Sequence, residues 1–137
     1  MKAKDYSFLM EQAVQARENA YAPYSGFKVG AALLTMSGKV YSGCNIENAA
    51  FGASLCAERV AIFKAISEDE NSFEAIAIVG GKDELNKLCS PCGTCRQVMA
   101  EFCSCDFKIV LGTPNDYKVY KLSDILPLSF SSENLEV

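Results

Sequence analysis

The sequence predicts an α/β fold in which helices cover both faces of one β-sheet, and three observations carry that reading. Helical and extended patterns follow one another in the order helix, hairpin, helix, strand, helix, strand, strand, the order of a sheet flanked by helices. The run Ala75-Ile76-Ala77-Ile78-Val79 is wholly apolar, as expected of a strand covered on both sides. At 137 residues the chain has the length of one domain, and no repeat, low-complexity tract or linker divides it, so residues 1–137 are read as a single unit.

The elements follow in chain order. Asp5 is a candidate N-cap for a helix over about Tyr6 to Glu18, where Phe8, Leu9, Ala13, Ala16 and Ala20 recur near the helical period. Tyr21-Ala22-Pro23-Tyr24-Ser25-Gly26 breaks that pattern, because proline and glycine punctuate it. Phe27 to Met36 reads as a strand, Ser37-Gly38-Lys39 as a tight turn and Val40 to Ile46 as the antiparallel partner. A helix opens near Cys56 and runs to about Ser67. The apolar strand at 75–79 gives way to a polar loop from Gly80 to Pro91, then to a helix from about Gly93 to Phe102. Phe107 to Leu111 is the next strand and Lys118-Val119-Tyr120 a short fifth. Ser123 to Leu126 forms a last helical turn, stopped by Pro127.

Composition narrows the function classes. Half of the residues are apolar and 22% are charged, the profile of an ordinary water-soluble protein. A net charge of −4 argues against a nucleic-acid partner, which normally leaves a basic footprint. No apolar run is long enough for a spanning helix, so no membrane partner is expected. Met1-Lys2-Ala3-Lys4-Asp5 leads straight into the helical pattern without an apolar leader. The seven cysteines are an odd number, and three of them crowd at 89, 92 and 95, which fits a metal site in a reducing cytoplasm better than a disulfide framework.

Chemistry concentrates in Cys56-Ala57-Glu58-Arg59 and Pro91-Cys92-Gly93-Thr94-Cys95-Arg96-Gln97. The chain has no histidine, so a tight zinc site must be built from cysteine, with carboxylate or water completing it. Cys56 and Cys92 fall where helices should begin, and the positive end of a helix favours the metal-binding thiolate. Cys92 and Cys95 share a face of the first turn. Two arrangements are open. In one, Cys56, Cys92 and Cys95 hold a catalytic zinc and Glu58 is its general base; in the other, Cys89 is the fourth ligand of a structural zinc, which has no use for Glu58. Arg59 either donates to the ligand sulfurs or is a solvated helix residue, and Arg96 and Gln97 are read as outer groups or surface. Asn45 and Glu47 alternate along a strand, so both can face one pocket while Ile46 turns into the core; an ordinary turn or solvent face is the plain alternative. Phe27 is more often plain core than a stacking platform.

These residues resemble the zinc signature of the cytidine deaminases, in particular the small homotetrameric branch with three cysteine ligands. Tyr24-Ser25-Gly26-Phe27-Lys28-Val29-Gly30-Ala31-Ala32 resembles the family's first strand, and Gly43-Cys44-Asn45-Ile46-Glu47-Asn48-Ala49 its substrate-recognition segment. Leu126-Pro127-Leu128-Ser129-Phe130 also fits, so the resemblance spans about Tyr24 to Phe130. It implies a three-layer α/β/α fold with a five-stranded mixed sheet, and one zinc per subunit on Cys56, Cys92 and Cys95, with Glu58 as proton shuttle. It further implies Asn45 and Glu47 on the ribose hydroxyls, Phe27 against the pyrimidine, and backbone groups near Ala57 and Ser90 on the departing amino group. Arg59 would support the ligands, and Phe130 would enter a neighbouring subunit's site in a homotetramer.

The implied activity is hydrolysis of cytidine and deoxycytidine to their uracil counterparts in pyrimidine salvage. The chain departs from the pattern at Phe51, where relatives often carry tyrosine. Met36 and the stretch from Gly81 to Lys87 are ordinary surface variation, and Cys44, Cys89, Cys103 and Cys105 have no implied metal role. The rival readings are a deaminase for another base or a nucleoside antibiotic, and a non-enzymatic zinc module.

Overall fold

In the computed structural model, which describes residues 4–135, the chain forms α1 (Ser7–Arg17), β1 (Lys28–Thr35), β2 (Val40–Cys44), α2 (Ala57–Ser67), β3 (Phe73–Gly81), α3 (Gly93–Phe102), β4 (Lys108–Thr113), β5 (Asp116–Lys121) and α4 (Leu122–Ile125). Residues 1–3, part of the stretch read as having no leader, lie outside the described residues. The strands make one five-stranded sheet in the order β2-β1-β3-β4-β5, antiparallel except for the β3–β4 pair. The mixed α/β/α architecture implied by the resemblance is the one observed.

The alternation of side chains along the strands divides the core into two layers. Ala32, Leu34, Ala75, Ala77, Val79 and Val110 face Leu9, Met10 and Ala13 of α1. Ala31, Leu33, Ile76, Ile78 and Ile109 face Ala57, Ala61 and Ile62 of α2 and Cys95 and Met99 of α3. β3 is therefore covered on both faces, which is why its sequence shows no polar alternation. On the edge strand β5, Asp116, Lys118 and Lys121 are exposed and blunt a free sheet edge.

Connectivity then decides where chemistry can gather. β2 and β3 both run antiparallel to β1, so they point the same way. α2 follows the end of β2 and α3 follows the end of β3, and both helices lie on the same face. Their N-termini therefore open at one edge of the sheet, the carboxyl ends of parallel strands where α/β proteins place ligands. The N-terminal end of β1, next to Phe27, reaches the same edge.

Several boundaries differ from the expectation, each for a local reason. β1 begins at Lys28, after Phe27, and closes at Thr35, before Met36, where Thr35 Oγ1 accepts from the Lys39 N–H and the register with β3 shifts. β2 stops at Cys44, not Ile46, because Val29 N–H goes to the Asn45 side-chain Oδ1 rather than the Asn45 carbonyl, which accepts from Tyr21 N–H, and Ile46 forms bridges with Tyr21 and Leu55. Asp5 Oδ1 accepts from Ser7 N at 2.9 Å, but the residue in the cap position is Tyr6. β5 is longer than read from sequence, because Thr113 and Asp116 pair across a two-residue Pro114-Asn115 turn that the strand pattern did not register.

Candidate active site

Cys56 and Cys92 occupy the N-cap positions of α2 and α3, both with extended backbone, as the sequence predicts. α2 can sit low on the sheet because residue 43 of β2 is glycine. A Cβ there would lie 2.6 Å from the Ala57 carbonyl oxygen and 2.7 Å from Ala61 N, inside van der Waals contact. Close packing of the first turn of α2 thus sets the depth of Cys56 and Glu58.

Among the described residues, one group of potential metal-binding side chains converges: the sulfurs of Cys56, Cys92 and Cys95, all within 4.8 Å of one another. Cys92 Sγ is 3.6 Å from Cys56 Sγ and 3.3 Å from Cys95 Sγ. Three sulfurs around a tetrahedral zinc, at Zn–S of about 2.3 Å, stand about 3.8 Å apart, so small adjustments would seat the ion. Cys92 Sγ also accepts from Cys95 N at 3.4 Å, which ties the pair to the first turn of α3.

The protonation of the sulfurs suits metal capture. A hydrogen bond from Cys95, with further help from Arg59, lowers the Cys56 thiol to about 5, while the same bond to Cys56 and burial hold the Cys95 proton on. Arg59 Nη2 lies 3.5 Å from Cys56 Sγ. Arg59 Nε is buried without a hydrogen-bond partner, so a cation waits beside the sulfurs. Three thiolates on a divalent ion carry excess negative charge, which a guanidinium at this place offsets. Soft donors, their spacing and the adjacent cation fit zinc and do not suit a hard magnesium or calcium ion.

Glu58 is 3% exposed. Burial above all pushes its carboxyl up to about 7, and the Cys56 sulfur adds to the push. A carboxyl poised near neutrality beside a metal position can both take and return a proton.

Cys89 is outside the sulfur cluster. Burial raises its thiol to about 11, and its sulfur packs over Gly80, where a Cβ would come within 2.6 Å of it and 3.2 Å of Phe27 Cε1. Phe27 and Cys89 therefore share a wall beside the cluster. An open groove of about 640 Å³ runs from Phe27 along residues 82–86.

Asn45 and Glu47 reach the same edge by a route other than strand alternation. Asn45 is 9% exposed; its Oδ1 accepts from Val29 N at 2.8 Å and its Nδ2 donates to the Phe27 carbonyl at 2.8 Å. Ile46, expected in the core, is 46% exposed, since the chain has already left the sheet. Glu47 Oε1 accepts from Tyr24 N at 3.0 Å and Ser25 N at 3.1 Å, and its Oε2 accepts from the Ser25 hydroxyl. These bonds, the Ser25 hydroxyl first, hold the Glu47 carboxyl below its ordinary range.

Ala57 is fully buried at the start of α2. Ser90 is exposed, and its hydroxyl accepts from Arg96 Nη2 at 2.6 Å. Arg96 also donates to the Pro91 carbonyl at 2.9 Å and the Ile125 carbonyl at 2.6 Å. It is a clamp on the segment before Cys92, a role that the spacing of the motif did not disclose because Ile125 is remote in sequence. Gln97 Nε2 donates to the Phe130 carbonyl at 2.8 Å, while the Phe130 side chain is 59% exposed and does not fold back onto the core. Phe51, in a short 3-10 turn (Phe51–Ala53), is exposed.

Three sulfurs that could hold a metal ion and a buried carboxyl beside them lie at the strand ends of a mixed α/β sheet. Residues 3–113 match the family model for the cytidine and deoxycytidylate deaminase zinc-binding region. A cytidine deaminase of Halalkalibacterium halodurans is 48% identical over 132 residues, covering 96% of this chain and 98% of that protein. One from Sporosarcina psychrophila is 46% identical, with 96% and 95% coverage. A crystal structure of cytidine deaminase from Burkholderia pseudomallei superposes with a TM-score of 0.85 at 47% identity, covering 93% of this chain and all of that one. The chain belongs to the cytidine and deoxycytidylate deaminase family, a family of enzymes.

Proposed function

We propose that this protein hydrolyses cytidine and deoxycytidine to uridine and deoxyuridine, releasing ammonia, as a step of pyrimidine salvage in the cytoplasm. The observation that carries the reading is the buried Glu58 carboxyl beside the converged sulfurs of Cys56, Cys92 and Cys95. The full-length likeness to proteins named cytidine deaminase supports the choice of base. The absence of a helix long and apolar enough to cross a membrane, among the described residues, is compatible with it.

Cys56, Cys92 and Cys95 hold one zinc per subunit, with Arg59 offsetting the charge of the thiolates. When bound, zinc supplies a Lewis acid that brings the pKa of a water to about 7. Glu58 takes the proton of the attacking water and delivers it to the ring nitrogen beside the amino-bearing carbon. The same carboxyl then carries a second proton to the departing amine, whose path is lined by backbone groups at Ala57 and Ser90. Phe27 orients the pyrimidine, and Asn45 and Glu47 hold the sugar. The test is zinc content measured together with the loss of cytidine absorbance. A protein that binds zinc and turns over no cytidine would be a zinc module and would overturn the proposal.

Substrate preference should follow the sugar. Free cytosine lacks the hydroxyls assigned to Asn45 and Glu47, and a site built to bond a hydroxyl rejects an analogue without it by up to about 10⁴-fold. Cytidine monophosphate should also be poor, because its phosphate approaches an ionised Glu47. Steady-state rates with the three compounds check this, and equal turnover of cytidine and its monophosphate would remove Glu47 from the sugar site.

The assembly proposed is a homotetramer in which Phe130 enters the neighbouring site. The outward Phe130 ring supports this, since an exposed aromatic held by Gln97 is suited to anchor across an interface. Phe130→Ala should keep the tetramer in light scattering and raise the KM for cytidine about tenfold, the loss of one buried anchor. A fully active monomer would end the idea of shared sites.

A further inference from the structure

The hydroxyl of Ser25 does two things at once. It donates to Glu47 Oε2, and it accepts from the Phe27 N–H at 3.0 Å. On the other side of Phe27, the carbonyl is taken by Asn45 Nδ2. The base wall and the sugar grip are therefore one hydrogen-bonded unit, closed by a serine to which the resemblance gives no role. Ser25 also contributes its backbone N–H to Glu47 Oε1, alongside that of Tyr24.

Counting lone pairs shows what the hydroxyl adds. A carboxylate offers about four acceptor sites, two on each oxygen. Oε1 is filled by two backbone N–H groups, and the Ser25 hydroxyl fills one site on Oε2. One acceptor site remains, and its direction is set because the carboxylate plane is held from both oxygens. Without the hydroxyl, Oε2 has two open sites, and water competes for both. Backbone bonds to Oε1 alone would let the group swing.

We propose that Ser25 is a positioning residue that aims the last free lone pair of Glu47 at a single sugar hydroxyl. The inference rests on the reading of Glu47 as a sugar-binding group. Ser25 touches no reacting atom, so its effect is on ground-state recognition of the hydroxyl.

The experiment compares cytidine with 2′,3′-dideoxycytidine, which keeps the base and the 5′-hydroxyl but lacks the 2′- and 3′-hydroxyls, in zinc-loaded Ser25→Ala and Glu47→Gln proteins. Ser25→Ala should lower kcat/KM for cytidine about tenfold, through KM, because a hydrogen bond to a charged group is lost. It should leave kcat/KM for dideoxycytidine within about twofold, as no bond to that substrate depends on the hydroxyl. Turnover of dideoxycytidine in the same variant reports that the site is folded. Ser25→Thr, which keeps a hydroxyl, should recover most of the loss on cytidine. An equal loss on both substrates, or none on either, would overturn the role of Ser25 and mark it as a plain turn residue. Glu47→Gln separates the two levels. A loss confined to cytidine in Glu47→Gln but not in Ser25→Ala sinks only the positioning role, whereas a Glu47→Gln protein that treats both substrates as the wild type does sinks the sugar reading beneath it.

Discussion

Glu58→Gln should retain zinc and fold while losing turnover by about 10³-fold or more, at the upper part of the range for general acid–base catalysis, since one carboxyl serves two proton transfers. The amide is nearly isosteric, so Ala57 and the first turn of α2 should stay packed against Gly43. Zinc content by metal analysis and single-turnover rates on cytidine check the two halves separately. If zinc is lost in parallel with activity, Glu58 is a ligand and its assignment as shuttle is wrong. The metal-free protein gives a second signature. The folded-state carboxyl lies at about 7 against an ordinary 4.5, so folding binds a proton across that interval. The contribution of Glu58 to stability is full below 4.5 and is lost as pH rises through 7, on the order of 3 kcal/mol for a buried acid forced to ionise. Unfolding of the metal-free Glu58→Gln protein should lack that fall.

Removing one sulfur of the cluster should be as severe, with the opposite pattern. Cys92→Ala should abolish zinc binding at micromolar metal and with it all measurable turnover. The loss of one of three protein ligands removes a large part of the binding free energy, which in structural zinc sites totals roughly 10–16 kcal/mol. Because Cys92 also caps α3 through Cys95 N, the metal-free variant should unfold more readily by about 1 kcal/mol, a typical cap contribution. Cys89→Ala is the control. Its sulfur packs on Gly80 outside the cluster, so zinc stoichiometry should be unchanged and activity should persist. A Cys89→Ala protein that releases zinc would restore the four-cysteine structural site.

Capture of zinc at near-neutral pH should also expel protons. Cys56 is already ionised there, but Cys95 is held protonated by its hydrogen bond to Cys56 and by burial. Calorimetry in buffers of different ionisation heat should show net proton release on binding, because thiolates are the ligating form. A buffer-independent heat would contradict the assigned protonation.

The fold was legible wherever local pattern and burial agree. The apolar run at 75–79 marked a strand covered on both faces, and Gly38 with the flanking extended segments marked the β1–β2 hairpin. The sulfur cluster was partly legible for a related reason: short motifs at helix starts carry their own geometry, so Cys92 and Cys95 share a turn whatever the rest of the chain does. Strand ends were less legible. β2 ends at Cys44 because Asn45 turns its amide to Val29 and Phe27, partners far off in sequence, and no period-two pattern records that.

By itself, then, the sequence determined the class of fold, the candidate thiols at the two helix starts, the acid two residues from the first of them and the net negative charge. Those follow from residue type and spacing within single elements. Tertiary structure alone decided that Cys89 stays out of the cluster, that Glu58 is sealed from water, and that Arg96 clamps the segment before Cys92. It also decided that Ser25 binds Glu47 and Phe27 together. The convergence of the sulfurs and of Glu58 depends on β2 and β3 pointing the same way, which brings the starts of α2 and α3 to one edge. Contacts between residues distant in the chain arise from that topology, and burial, the cause of the Glu58 shift, exists only once the layers have closed around it.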